Sequence, residues 1–329
     1  MTFLWIQFLL AVLVIGCSGY LLSIFGDKIA QRTRFGHSLL GTTVIAAVTS
    51  FPELGSGISS VAIARSVDLA LGGIYGSCMF NLVILCILDV LHQKQSVYRY
   101  ANSSLMSMGA LSIIMITYSG FLMGLVHSPS HAFLSWGAWL TLPLFLSYLV
   151  FLKWQANQDE SEDQNKEIEK DTRKDISVRN AWIGFAVCCL LVVGSGLYLP
   201  VVGEKLVIQM GWSESFFGTL LLAISTSLPE LSVTLSSFSI GAINMALGNI
   251  WGSNIFNVAI LWIFDLLQPG SIYVEASLGH ILSIMAGTMM TAVAMLGIYN
   301  KPSQNKLLFM TWPSLVMTIM YLLSIFCIF

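Results

Sequence analysis

Residues 41–60 read GTTVIAAVTSFPELGSGISS, and residues 218–237 read GTLLLAISTSLPELSVTLSS. Gly41 matches Gly218, Thr49-Ser50 matches Thr226-Ser227, and Pro52-Glu53 matches Pro229-Glu230. The likeness continues downstream. Residues 69–85, LALGGIYGSCMFNLVIL, pair with residues 245–261, MALGNIWGSNIFNVAIL. After a one-residue difference in length, Gly76-Ser77 matches Gly252-Ser253 and Asn81 matches Asn257. Chance does not produce two such stretches, so the chain carries an internal repeat.

The setting of the repeat is strongly apolar. Hydrophobic residues make up 56% of the chain and charged residues 10%, with a mean hydropathy of +0.80. Soluble domains carry roughly a quarter charged residues. Apolar runs recur along nearly the whole sequence, and a helix needs about 20 residues to cross the hydrocarbon core. The alternating segments of about 10 residues that a β-barrel requires do not occur. The sequence therefore predicts an all-α integral membrane protein. A net charge of −2 gives no sign of a nucleic-acid partner. Cys17, Cys78, Cys86, Cys188, Cys189 and Cys327 all fall in apolar segments without a Cys-x-x-Cys, and read as small buried residues.

Hydropathy predicts ten spans, at about 3–25, 37–63, 68–90, 104–126, 132–152, 181–202, 214–239, 244–267, 274–297 and 307–328. The first reads as a retained helix, because no basic residue precedes it and Lys28, Arg32 and Arg34 follow it. With the N-terminus outside, the inner side receives those three, Lys94, Arg99, the basic residues of 153–180, Lys301 and Lys306; the outer side receives only Arg65 and Lys205. That asymmetry predicts both termini outside and a cytosolic central segment. Residues 153–180 read as a charged linker between a first half, 1–152, and a second half, 181–329. Its acidic cluster, Asp159, Glu160, Glu162 and Asp163, lacks the spacing of an EF-hand loop. The repeat copies, about 37–90 and 214–267, lie five spans apart. An odd separation sends the second copy through the membrane in the opposite sense. The expected fold is ten transmembrane helices in two inverted-topology five-helix repeats, an architecture of secondary transporters with a site at the repeat interface.

Among the carboxylates, only Glu53 and Glu230 fall deep inside predicted spans; Asp27, Asp89, Asp265 and Glu275 fall at span ends. An ionisable group at the bilayer centre costs at least about 2.5 kcal/mol. Two at equivalent positions point to function rather than packing. A proline precedes each one and removes a helix hydrogen bond. Carbonyls around Ala46, Thr49, Ala223 and Thr226 are thereby expected to be freed as ligands. Ser77 and Asn81 share one helix face, as do Ser253 and Asn257. Hydroxyls and amides opposite two carboxylates form an all-oxygen cage suited to a hard cation such as Ca²⁺. His127 and His131 flank Pro129 in a predicted outer loop and read as ordinary loop residues. No nucleophile–base pair and no His-Glu-x-x-His appears, so an enzyme is not expected.

The paired Thr-Ser-x-Pro-Glu motifs, each followed by a Gly-Ser-x-x-x-Asn helix, resemble the α-repeats of the sodium/calcium exchanger family in the cation/calcium antiporter superfamily. The resemblance covers the whole chain. It implies alternating access, with Glu53 and Glu230 as principal ligands of the transported metal ion. It also implies the hydroxyls of Ser50, Ser77, Ser227 and Ser253, backbone oxygens at Thr49 and Thr226, and Asn81 with Asn257 at the centre. There are departures: Val48 and Ser225 stand where the family often has Gly, Cys78 replaces an Asn, and Asn257 stands where some members carry Asp. Two carboxylates neutralise one Ca²⁺, or hold two monovalent ions or protons. The expected activity is exchange of Ca²⁺ for Na⁺ or H⁺ across a prokaryotic plasma membrane, with transported cations and lipid as the partners and no cofactor. An H⁺/divalent-cation exchanger is the nearest alternative; a cation channel or a non-transporting ion sensor is more distant.

Overall fold

A computed structural model describes residues 2–32, 39–92, 95–127, 139–162, 177–302 and 309–329. His131, residues 163–176 of the central linker and the first residues of the expected spans at 37, 132 and 307 lie outside the described residues. Within them the long elements are all helices: α1 (Thr2–Arg32), α2 (Leu39–Thr49), α3 (Phe51–Ala62), α4 (Val67–Leu91), α5 (Ser103–Val126) and α6 (Leu142–Glu162). In the second half follow α7 (Val178–Met210), α8 (Glu214–Thr226), α9 (Leu228–Ser239), α10 (Ile243–Leu267), α11 (His280–Asn300) and α12 (Trp312–Ile328). Six are long and apolar enough to cross a membrane, and the bent pair α8 and α9 makes a seventh candidate.

Polarity is arranged inside-out. Thr49, Ser50, Glu53, Ser77, Asn81, Glu230, Asn249, Asn254 and Asn257 are buried, whereas Phe3, Leu9, Leu10, Leu13, Leu190, Phe326 and many like them are exposed. Water does not tolerate so continuous an apolar shell, and lipid requires one. The chain is a multi-pass membrane protein.

Several boundaries differ from the sequence expectation, among them the end of α1, which runs on from 25 to Arg32. α6 runs on to Glu162, past the expected span end at 152, because Lys153–Glu162 consists largely of good helix formers such as Lys, Gln, Ala and Glu. α7 extends to Met210 and keeps Pro200 inside it, ending at Gly211 in a left-handed conformation (φ 69°). The expected span at 274–297 starts only at His280. Residues Ile272–Glu275 form a separate single turn.

That single turn is held by a buried acid. Asp265 accepts from the Ile272 N–H (2.7 Å) and from Thr141 Oγ1 (2.8 Å) at the foot of α6. Asp89 does the equivalent work at the end of α4. It accepts from the Val97 N–H (3.4 Å), the Thr311 N–H (2.7 Å), Thr311 Oγ1 (2.8 Å) and Ser314 Oγ (3.0 Å). Asp89 and Asp265 lie at span ends, as expected, yet they are 0% and 1% exposed, so burial is not confined to Glu53 and Glu230. Each reaches into the other half of the chain, at Thr311-Trp312-Pro313 or Thr141-Leu142-Pro143. The likeness between halves thus extends beyond the two motifs that first disclosed it.

Candidate cation site

Each Ser-x-Pro-Glu motif breaks its helix in the same way. α2 stops at Thr49 and α3 resumes at Phe51; α8 stops at Thr226 and α9 resumes at Leu228. The hinge residues share one backbone conformation, φ −85°, ψ 12° at Ser50 and φ −86°, ψ 10° at Ser227. The prolines sit in the first turn of the resumed helix, where a missing N–H costs nothing. The second break is a bend of 43°, preceded by a widened π-turn at Gly218–Leu222. Glu53 and Glu230 therefore lie in the first turns of α3 and α9, where the helix dipole favours negative charge.

The two breaks face each other and exchange hydrogen bonds. Ser50 Oγ donates to Glu230 Oε1 (2.7 Å), and Ser227 Oγ donates to Glu53 Oε1 (2.9 Å). Ser77 Oγ also reaches Glu53 Oε1 (3.2 Å), and lies 3.4 Å from the Ala223 carbonyl and 3.5 Å from Thr226 Oγ1. Its repeat equivalent, Ser253, donates to the Ala46 carbonyl (3.3 Å). Thr49 Oγ1 bonds the Ala46 carbonyl (2.9 Å), and Thr226 Oγ1 bonds the carbonyls of Leu222 (3.0 Å) and Ala223 (3.3 Å).

The freeing of carbonyls needs correction. Ala46 and Ala223 keep their helical partners, the Ser50 N–H (3.2 Å) and the Ser227 N–H (3.0 Å). Proline deprives the carbonyl four residues before it, which places the lost bonds at Val48 and Ser225. Each carbonyl is also approached by the threonine of its own repeat and by a serine of the opposite one, Ser253 at Ala46 and Ser77 at Ala223.

α4 and α10 form the other wall. Asn81 Nδ2 donates to Asn254 Oδ1 (2.9 Å), and Asn254 Nδ2 donates to the Cys78 carbonyl (3.1 Å). Asn254 was not among the expected ligands. Its signal was present as the Asn of Gly252-Ser253-Asn254 that Cys78 replaces in the first copy. Asn257 is buried with neither amide atom bonded to protein. Close approach of α4 to α8 depends on Gly76, where an added Cβ would lie 2.3 Å from the Thr219 carbonyl oxygen.

Glu53 and Glu230 are 2% and 0% exposed, so the arrangement is closed to both sides. Glu53 Oε2, Glu230 Oε2, Asn81 Oδ1 and both amide atoms of Asn257 lack a protein partner. Buried polar atoms are nearly always satisfied, so these unpartnered ones mark Glu53, Glu230, Asn81 and Asn257 as candidate ligands. Among the described residues no group of three His, Cys, Asp or Glu forms a softer metal site. A cleft of about 500 Å³ between α1 and α7, lined by Gln7, Ala11, Ser195 and Tyr198 among others, includes none of the site residues.

The sodium/calcium exchanger protein family model matches residues 3–154 and 180–329. A putative antiporter, CaxA of Alkalimonas amylolytica, is 27% identical over 265 residues, 80% of each chain. The inner membrane protein YrbG of Escherichia coli is 28% identical over 258 residues, 76% of this chain and 75% of that one. The sodium/calcium exchanger MaX1 of Methanosarcina acetivorans is 39% identical, but over only 88 residues, 26% of this chain and 24% of that protein. The solved structure of the sodium-calcium exchanger NCX_Mj soaked with Na⁺ and Ca²⁺ superposes with a TM-score of 0.66 at 18% identity, covering 97% of this chain and 96% of that one, a likeness of fold. With the family model matched on both sides of the linker, the chain belongs to the sodium/calcium exchanger family of membrane cation antiporters.

Proposed function

We propose that the protein exchanges Ca²⁺ for Na⁺ by alternating access at the Glu53–Glu230 site. The observation that carries this reading is the reciprocal pair of bonds, Ser50 to Glu230 and Ser227 to Glu53, which leaves one oxygen of each carboxylate without a partner. Those oxygens, with the hydroxyls of Ser77 and Ser253, the backbone oxygens at Ala46, Thr49, Ala223 and Thr226, and the amides of Asn81 and Asn257, are the ligands assigned to the transported ions. Two carboxylates balance one Ca²⁺. Na⁺ loading of the same oxygens excludes Ca²⁺, and this competition yields exchange when the empty, doubly negative site crosses poorly.

The same reading includes ten spans in two inverted repeats, with both termini outside and the linker in the cytosol. The two-fold relation of the repeats is supported by direct contact between the equivalents Cys78 and Asn254, and the orientation rests on the asymmetry of the basic residues. α1 and α7 act as the moving gate. Gly19 of α1 lies against Pro229, where an added Cβ would be 2.7 Å from the proline Cα, and Gly196 of α7 lies against Pro52, with 2.7 Å to its carbonyl oxygen. The gate helices thus bear on the helix breaks that present the ligands.

Proteoliposomes loaded with Ca²⁺ and given either a Na⁺ gradient or a pH gradient test the counter-ion. Ca²⁺ efflux driven by Na⁺ alone supports the proposal; efflux driven only by protons replaces Na⁺ with H⁺. Wild-type flux in Glu53→Gln or Glu230→Gln sinks the site. Ca²⁺ flux that needs no counter-ion identifies a channel.

A further inference from the structure

The two helix breaks are not perfect copies. Beside Glu230, Asn249 Nδ2 donates to the Glu230 backbone carbonyl (3.4 Å) and to Thr234 Oγ1 (3.1 Å). Both side chains are fully buried, and Asn249 Oδ1 has no protein partner. Asn249, Ser253 and Asn257 recur every four residues along α10 and share a face. Thr234 lies one turn beyond Glu230 on α9. In the first repeat the equivalent positions are Gly73 and Gly57, and neither has a side chain to make this tie. The space that a Gly57 Cβ would need is taken by the Phe264 ring, whose Cζ would be 1.9 Å away. α9 is therefore pinned to α10 at the level of its glutamate by polar side chains, while the equivalent place on α3 is taken by the Phe264 ring.

We propose that Asn249 is a positioning residue that fixes the backbone of Glu230 and so sets where that carboxylate meets the cation. The inference rests on the exchange reading above. An amide in the membrane interior has no water to turn to, so its bonds to Thr234 and the Glu230 backbone persist. Pinning a ligand's own backbone limits where its carboxylate can go, and loss of such outer contacts weakens metal affinity rather than removing the site.

The test measures Na⁺-driven Ca²⁺ uptake against Ca²⁺ concentration in proteoliposomes, with Ca²⁺ binding to the purified protein alongside. Asn249→Leu keeps the branched shape and removes the amide. It is expected to raise KM for Ca²⁺ about tenfold while the maximal rate changes less than about twofold. Thr234→Val, nearly isosteric, shifts KM in the same direction by less and serves if Asn249→Leu does not fold. Gly73→Ala, whose Cβ meets nothing nearer than 3.5 Å, leaves KM unchanged. Unchanged KM in both second-repeat variants, or an equal shift in Gly73→Ala, overturns the inference. A wild-type protein that moves no Ca²⁺ under either gradient overturns the exchange reading and this inference with it.

Discussion

Ser50 donates its hydroxyl hydrogen to Glu230, a carboxylate 180 residues further along the chain, at 2.7 Å. Ser227 returns the same bond to Glu53. Each motif is thus completed by the other: the serine of one break organises the glutamate of the opposite break. Neither repeat forms the site alone. Bonds to ionised carboxylates in a low-dielectric setting are among the stronger hydrogen bonds a protein makes.

Ser50→Ala and Ser227→Ala are each expected to lower Ca²⁺ affinity by roughly tenfold or more, from about 1.5–3 kcal/mol per charged hydrogen bond. The double variant tests the coupling. If the two bonds are parts of one cage, the combined loss departs from the sum of the single losses in a double-mutant cycle of Ca²⁺ binding. Strict additivity would show two independent sites.

The gate contacts make a steric prediction. Gly196→Ala drives a methyl group to 2.7 Å from the Pro52 carbonyl oxygen, so α7 must shift off α3. A cost of about 1–3 kcal/mol from overpacking is expected at the break, read as loss of exchange rate exceeding loss of folded protein. Gly194→Ala, two residues earlier on the same helix, meets nothing within 4 Å and is expected to exchange like wild type. Equal rates in the two variants would remove the gate contact from the mechanism.

Asp89→Asn and Asp265→Asn address the fold rather than the site. Each replaces a buried acceptor with donors from both halves of the chain, and an amide nitrogen turned toward them cannot accept. Leaving buried donors unpaired costs about 1–3 kcal/mol each, so apparent melting temperatures in detergent are expected to fall by roughly 5 °C or more. The Ca²⁺ concentration for half-maximal uptake by the surviving folded protein should stay near wild type. A large change there with no change in melting would assign these acids to transport instead.

Asn254 carries a sharper expectation than Asn257. Asn254→Leu cuts both the Asn81 bond and the Cys78 carbonyl bond, loosening α4 from α10. Asn257→Leu removes amide atoms that no protein group uses. If Asn257 serves the cation, its loss weakens Ca²⁺ binding without lowering thermal stability. For Asn254 the stability loss comes first. Thermal unfolding with and without Ca²⁺ separates the two.

Much of this was legible along the chain. The membrane class follows from the apolar runs, and the repeat follows from direct comparison of residues 41–60 with 218–237. Pro52 and Pro229 marked the helix breaks, and Glu53 and Glu230 stood out because ionisable groups are costly in hydrocarbon. Less legible were Asp89 and Asp265. They lie at span ends, where carboxylates are ordinarily solvated, and only the docking of Thr311 and Thr141 from the opposite halves buries them. The continuation of α6 to Glu162 also escaped, since a charged segment past a span reads equally as linker or as solvated helix.

By itself the sequence determined the solvent of the fold, the presence of two copies, and which residue types carry charge inside the membrane. Hydrophobicity and steric restriction at proline act locally, so they are written in the order of residues. Tertiary structure decided the pairing: Ser50 with Glu230, Ser227 with Glu53, Ser77 with the Ala223 carbonyl, Ser253 with the Ala46 carbonyl, and Asn249 with the backbone of Glu230. It also decided that the Ala46 and Ala223 carbonyls keep their helical bonds while accepting from a serine of the opposite repeat. Hydrogen bonds are short and directional, and nothing in a linear spacing says which hydroxyl will stand within 3 Å of which carboxylate once helices far apart in the chain have packed.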